Sequence, residues 1–437
     1  MKKIFTILFL TTLACTQMFA GGSTEEANDG KVVLNVMHHY TKEEASTDNT
    51  RKVPRETFLS YEDMSDVDLS ITEIQHNEYE TKLQALAAAD NLPDVFTAKG
   101  SWIPNFVDNE MIANISDAVN ECEWLDEYRD GLYLPVTQGS AIYGAPLQFS
   151  ATTMVYYNKA LWEKIGYDQF PTTWEDLFAA IPKFEAMGID TISFGNNGKW
   201  QYNSSWISAL GPRVTGTQWV NDIIAQNNKA SFTDPEFIRL LDLTTAIGQS
   251  GALNPDYAVI AHQQSSSQFL QGKAACVIDG YWNIEYLASN ASKEMQENIE
   301  MAFLPTVKDG KGSQTSIAAG CGWFVVVNSK LEGKALEEAK KLAMYVSGPV
   351  LSQGITDVGL IGTCKTSPSE GVELDSLHKK YINFVDSATE TTPIWDANIN
   401  ASVIATMNDQ FVELLAGRTT SEKAAKLIQE EYLDSQE

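Results

Sequence analysis

The chain has 437 residues, a formal net charge of -27 and 43% apolar residues. The acidic surplus is spread along the chain rather than gathered in a tail, which argues against nucleic acid as a partner. Its five cysteines form no CxxC pair and no Cys/His cluster, so the spacing supports neither a zinc site nor a redox motif, and a chain this long needs no disulfide staples.

Lys2 and Lys3 precede the apolar run Ile4, Phe5, Ile7, Leu8, Phe9 and Leu10, the charge-then-apolar order of an export signal. That run is too short to span a bilayer, and no later stretch approaches the roughly 18 apolar residues a spanning helix needs. Two ends of the signal are visible. Leu13-Ala14-Cys15 resembles a lipoprotein processing site, giving a signal of residues 1–14 and a lipidated Cys15; Ala20 before Gly21-Gly22 resembles ordinary cleavage after residues 1–20. Residues 21–30, rich in Gly, Ser, Glu and Asn, read as a flexible tether. An exported protein is expected, periplasmic or lipid-anchored to the cell envelope. The remaining stretch of about 400 residues makes two or three domains.

Val32 to Met37 reads as a strand opening into the loop His38-His39-Tyr40. Lys42 to Asp68, charged and containing Pro54, reads as a long excursion. Val67 to Ile74 alternates as a strand, Tyr79, Leu83, Leu86 and Ala87 recur at helical spacing, and Asp94-Val95-Phe96 is the next short strand. Strand, excursion, strand, helix, strand is the rhythm of a parallel α/β sheet. A second unit begins near Ala145-Pro146-Leu147, with the strand Met154 to Tyr157 and a helix containing Leu161, Trp162 and Ile165. Thr173 and Asp176 form a capping signal for a helix running to Gly188, and a strand follows over Ile189 to Phe194. Helices are expected over Ser231 to Ile247 and ending near Phe269 to Gly272, then a strand from Ala274 to Ile278 that delivers Asp279-Gly280-Tyr281-Trp282 to a loop. Lys308 to Gly312 reads as a turn joining Ala302-Phe303-Leu304 to the strand Trp323 to Val327 in a hairpin. Leu336 to Val346 is an amphipathic helix, and the last third is mostly helical, ending with Ser421 to Tyr432.

Few residues invite catalytic chemistry. Adjacent strand residues point to opposite faces, so only one of His38 and His39 can serve a given site; His39 is the candidate, as a hydrogen-bonding residue rather than a metal ligand. His76, His262 and His378 are scattered, and no metal site or cofactor is expected. Gly310-Lys311-Gly312-Ser313 lacks phosphate-loop spacing, and GxSxG and HExxH are absent. The tryptophans stand out, ten in all, with Trp102, Trp200, Trp206, Trp282 and Trp395 at loop-like positions. Indole faces stack on the CH faces of pyranose rings while neighbouring Asp, Asn and Gln bind hydroxyls, a set that suits a sugar site; each indole could equally fill a core, most plainly Trp124, Trp162, Trp174, Trp219 and Trp323.

Ala87-Ala88-Ala89-Asp90-Asn91-Leu92-Pro93-Asp94-Val95-Phe96 resembles the family 1 extracellular solute-binding proteins, the carbohydrate receptors of ABC importers. Tyr156-Tyr157-Asn158-Lys159-Ala160-Leu161 with Pro171-Thr172-Thr173-Trp174 resembles that family's central signature, and Gly272-Lys273-Ala274-Ala275 through Asp279-Gly280-Tyr281-Trp282 its second. Phe303-Leu304-Pro305 and Leu415-Ala416-Gly417 before Ser421 to Ala425 complete the order. The resemblance implies an α/β, two-lobed periplasmic-binding-protein fold of type II, with a ligand cleft between lobes joined by a hinge. One lobe is expected from 31–148 plus 302–350 and the other from 149–301 plus 351–437, with crossings near Leu147 to Met154, Ile299 to Leu304 and Pro349 to Ile355. It implies a cleft lined by His39, Tyr40, Lys99, Ser101, Trp102 and Gly320 on one side, by Trp200, Trp206, Asp279 and Trp282 on the other, and by Gln148 and Trp395 near the hinge. The implied role is a monomeric, non-catalytic receptor that captures a sugar or oligosaccharide and delivers it to membrane permease subunits. A non-sugar solute such as a polyol phosphate, or an exported glycan hydrolase, are the alternatives. The excursion at Lys42 to Asp68, Cys321 and Cys276 depart from the family pattern.

Overall fold

The computed structural model describes residues 31–436, so the export signal, Cys15 and the tether lie outside the described residues. Val32–His38 pairs in parallel with Val67–Glu73 on one side and Val95–Lys99 on the other. Trp323–Val327 lies antiparallel to Val95–Lys99, and Ala145–Pro146 closes this five-stranded sheet. Val95 to Ala98 are buried throughout, as befits a strand covered on both faces.

The expected excursion is instead two helices, Lys42–Ala45 and Asn49–Met64. Asp48 caps the longer one, its carboxylate accepting the Thr50 N–H, and Thr50, Pro54, Thr57, Phe58 and Tyr61 bury one face. Pro54 lies inside this helix and forfeits the one backbone hydrogen bond its missing N–H would have made to the Thr50 carbonyl.

The second sheet runs in the order Ile299–Ala302, Met154–Asn158, Ala274–Asp279, Asp190–Ser193. Thr173 caps the helix Trp174–Glu185 as expected, accepting the Asp176 N–H at 3.1 Å and donating to its carboxylate at 2.7 Å. The C-terminal helices Ala401–Leu415 and Ser421–Asp434 pack on Pro235–Gln249 around this sheet's apolar core. At the contact, a Cβ on Gly248 would lie 2.1 Å from the Leu415 carbonyl oxygen, so only glycine permits the two backbones to meet. Gly248→Ala should therefore lower stability by about 1–3 kcal/mol as the helices are forced apart, read as a fall in the urea midpoint; an unchanged midpoint would show the contact to be yielding.

A third sheet joins the two. Its strands, Ser150–Ala151, Ser316–Gly320 and Glu390–Thr392, each come from a separate segment running between the larger sheets. This corrects the expected hairpin: Ile299–Ala302 pairs with Met154–Asn158, Trp323–Val327 pairs with Val95–Lys99, and the turn at Lys308 to Gly312 belongs to the link between the two sheets. Pro349–Asp357 is a helix laid against Asn49–Met64, and Ser376–Asp386 is the next helix, packed on Ile299–Ala302. Among the described residues no helix is long and apolar enough to cross a membrane.

Candidate functional site

Strand ends and the turns that follow them carry the polar and aromatic side chains of both lobes to the space between them. Strands of an α/β sheet present such groups at their C-terminal ends, where the backbone turns away. In the first lobe, His39 follows Val32–His38, His76 opens the helix after Val67–Glu73, and Lys99 ends Val95–Lys99. Trp323 gathers them: its ring lies 3.9 Å from His39, 5.5 Å from His76 and 5.5 Å edge-on from Trp102, with the Lys99 amine 5.8 Å from its centroid. His39 Nδ1 is 3.1 Å from the Thr97 hydroxyl, while its Nε2 is buried without a partner.

In the second lobe, Trp200 meets His262 edge-on at 5.4 Å and Trp282 at 5.8 Å. Trp282 is folded over Gly280, where a Cβ would come within 2.4 Å of the indole. The lobes approach closely. Gln148 accepts the Tyr281 hydroxyl at 2.9 Å, and Asn49 donates to Glu285 at 2.9 Å. Gly100 abuts the Ala397 carbonyl, leaving no room for a side chain, whereas Gly320 and Gly322 border open space.

Buried polar atoms in a protein interior are paired almost without exception. Several unpartnered ones lie among these residues: His39 Nε2 and the Tyr40 hydroxyl on the first lobe, and Asp279 Oδ2, Trp282 Nε1 and Asn283 Nδ2 on the second. Such an inventory of donors and acceptors is what a hydroxyl-rich ligand satisfies on entering. A surface hollow lined by Phe178, Ile181, Glu185 and Gln249 carries no such atoms.

Residues 50–350 match the family model for bacterial extracellular solute-binding proteins. The chain belongs to this family. An uncharacterized ABC transporter extracellular-binding protein of Pyrococcus horikoshii is 23% identical over 355 residues, 79% of this chain and 75% of the relative. A maltodextrin-binding protein of Bacillus subtilis is 27% identical over 332 residues, 74% of this chain and 72% of the relative. A chitin oligosaccharide binding protein shares the fold with a TM-score of 0.80 and 20% identity, covering 92% of this chain and 98% of that one. A structure solved in work on xylan utilization by the thermophilic Caldanaerobius polysaccharolyticus aligns with a TM-score of 0.76 and 24% identity, over 91% and 99% of the two chains. The fold is thus the two-lobed α/β architecture of extracellular solute-binding proteins, a family of binding proteins rather than enzymes.

Within this solute-binding protein the residues singled out from the sequence fall into three groups. His39, Tyr40, Lys99, Ser101, Trp102, Trp200, Trp282 and Gly320 come to the two walls. Gln148 and Asp279 reach them through other side chains, Tyr281 and His262 respectively. Trp206 and Trp395 lie fully buried. Trp206 stacks on Tyr202 at 5.3 Å, and Trp395 lies against Trp219 and Phe237, filling the space that a side chain at Gly211 would need. The neighbour of Trp395, Asp396, is half-buried at the start of the helix Trp395–Asn398.

Arg51, His76, His262, Trp323 and Asp396 were not found from the sequence. Arg51 lies 6.0 Å from the Tyr40 ring and, with His76, adds to the burial that holds the His39 imidazole well below its usual pKa. Burial depresses His76 likewise and raises the Asp396 carboxyl. The first-lobe imidazoles are therefore neutral at pH 7, able to donate at one nitrogen and accept at the other. Among the described residues no cluster of His, Cys, Asp or Glu is arranged to hold a metal.

Proposed function

We propose that the protein is the extracytoplasmic receptor of an ABC importer, capturing a sugar or oligosaccharide between its lobes and passing it to the permease without a covalent step. The observation that carries this is the joint presence, on both walls, of indole faces and buried polar atoms lacking partners. The names of relatives support it: a maltodextrin-binding protein and several probable sugar-binding periplasmic proteins. Arg213 and Arg239, the arginines of the long middle stretch, bond carbonyl oxygens rather than facing a ligand, which leaves Arg51 beside Tyr40 as the arginine of this site. The lobes would be the units around the five-stranded and four-stranded sheets, with the three-stranded sheet as hinge. Ligand binds the closed form through both and so favours it. The receptor acts as an exported monomer, and mass spectrometry of the mature N-terminus distinguishes a lipidated Cys15 from a free Gly21.

The test is thermal unfolding of the mature protein with a panel of mono- and oligosaccharides. A sugar at 100 times its Kd stabilises by about 2.7 kcal/mol and raises Tm, and the glycan is recovered intact. A panel without any shift, or steady cleavage of the glycan, overturns the reading. Trp282→Ala should then weaken binding of the responding sugar roughly tenfold or more, with a smaller effect on the unliganded Tm than loss of a fully buried indole, since Trp282 is only partly buried, at the margin of the core and against Trp200. Calorimetric titration measures it; loss of the fold instead would make Trp282 a core residue.

A further inference from the structure

Asp279 ends the strand Ala274–Asp279 and is fully buried. Its Oδ1 is well provided, accepting Gln201 Nε2 at 2.6 Å, the Gly280 N–H at 2.7 Å and the Ser205 hydroxyl at 3.5 Å. Its Oδ2 accepts none of these, and its close neighbour is His262 Nδ1 at 3.4 Å. That nitrogen is itself buried and otherwise unpartnered. His262 opens the helix His262–Leu270 and keeps 27% of its side-chain surface, its ring edge-on to Trp200.

We infer that Asp279 is a positioning residue: it holds His262 in the Nδ1–H tautomer, so that the bare Nε2 accepts a hydrogen bond from a ligand hydroxyl. The argument is one of satisfying polar atoms. A carboxylate has no proton to give, so a bare Nδ1 would set lone pair against lone pair in a place water does not reach. A proton on Nδ1 satisfies both atoms at once, and a ligand drawing on Nε2 tightens the long contact. The neutral imidazole carries one N–H, so fixing it on Nδ1 makes Nε2 an acceptor.

The consequence, which rests on the cleft being the ligand site, is a choice of ligand class. This wall then offers an acceptor at His262 beside donors at Trp282 Nε1 and Asn283 Nδ2. A hydroxyl, which donates and accepts, meets both. A carboxylate or phosphate oxygen at this nitrogen cannot supply the hydrogen and would bring its charge towards Asp279, while Lys99 and Arg51 stand on the facing wall and not beside His262. The geometry points to a neutral sugar over a uronic acid or a sugar phosphate.

The protein has five histidines, which makes their imidazole nitrogens resolvable by long-range nitrogen–proton NMR on the histidine-labelled mature protein. His262→Gln removes one set of signals and assigns it. At pH 7.5 without ligand, His262 is expected to show a protonated-type Nδ1 and an unprotonated-type Nε2. Asp279→Asn should reverse this, because the carboxamide NH2 donates where Oδ2 accepted, and should weaken binding of the responding neutral sugar roughly tenfold. A wild-type Nε2–H tautomer or an imidazolium overturns the proposal, as does an unchanged tautomer in a folded Asp279→Asn. The wild-type spectrum decides even if that variant does not fold. The tautomer is read without ligand, so its failure is distinct from a failure of sugars to bind. Tighter binding of a uronic acid or sugar phosphate than of its neutral counterpart overturns the ligand class.

Discussion

Lowering the pH from 7 to 5 should cost the folded protein about 2 kcal/mol through His38 alone. His38 is enclosed by Phe58 and Tyr40, its Nδ1 accepts the Tyr40 N–H, and its Nε2 has no partner. Burial holds its pKa at about 4, against 6.5 for the free side chain, with Glu73 and Arg55 acting in opposite senses. The unfolded chain therefore takes up its proton first as pH falls. The stability that neutral His38 contributes is complete above 6.5 and is lost as pH falls towards 4. His39 and His76 are depressed in the same direction and steepen the fall. His378 works the other way: burial opposes its proton, but Glu285 at 3.0 Å and Asp375 at 2.8 Å prevail and raise its pKa. Its contribution is full below 6.5 and is lost as pH rises through the folded value. Stability should thus peak near neutrality. Urea midpoints at pH 5, 6, 7 and 8 measure this, and His38→Asn should flatten the acid limb. A wild-type midpoint constant from pH 7 to pH 5 would show that these imidazoles are not held neutral.

Much of this arrangement was legible in the sequence because the signals were local. Short β-rich apolar runs placed Val32–His38 and Ala274–Asp279 nearly to the residue, alternation placed Val67–Glu73, and the Thr173 cap announced its helix. The helix Asn49–Met64 was missed because its buried face is built from Thr50, Pro54, Thr57, Phe58 and Tyr61, a periodic row with little aliphatic character. The hairpin was misread because a turn marks a change of direction and not a partner; Ile299–Ala302 finds its mate at Met154–Asn158, far away in the chain. The site divides in the same way. Trp102, Trp200 and Trp282 stand beside glycines or loop residues and were found. Trp323 heads the uniformly buried run Trp323–Val327 and looked like filling, although its position as first residue of that strand puts it at the strand end shared with Lys99. His76 and His262 each open a helix, and the available signal was that location in an α/β chain. Their placement on the two lobes follows from sheet pairings between distant segments, which no local pattern encodes.

Replacing Arg213 with methionine should remove about 3–5 kcal/mol of stability. The guanidinium, 1% exposed, extends from the helix Ser208–Thr215 and donates to the Leu304 carbonyl at 2.8 Å and the Ser316 carbonyl at 2.7 Å, with Phe303 alongside. Those two carbonyls bracket the stretch of chain that leaves the four-stranded sheet and enters the central strand of the three-stranded sheet. Burial lowers the Arg213 pKa to about 10, which still leaves it a cation at pH 7. The same residue's carbonyl accepts Gly312 N and Gln314 Nε2, and Gly310 and Gly312 lack room for a Cβ against Arg213 and Pro212, so the whole turn is moulded onto this point. Methionine keeps much of the stem's volume but gives the carbonyls no donor, each then costing about 1–3 kcal/mol. Arg239 provides the control: it also donates to a backbone carbonyl, that of Asp309 at 3.0 Å, but from the surface, and Arg239→Met should stay within about 0.5 kcal/mol of wild type. Urea unfolding of both variants separates the cases. If the two midpoints fall equally, burial of the Arg213 clamp is not what secures this crossing, and the pairing within the three-stranded sheet holds it instead.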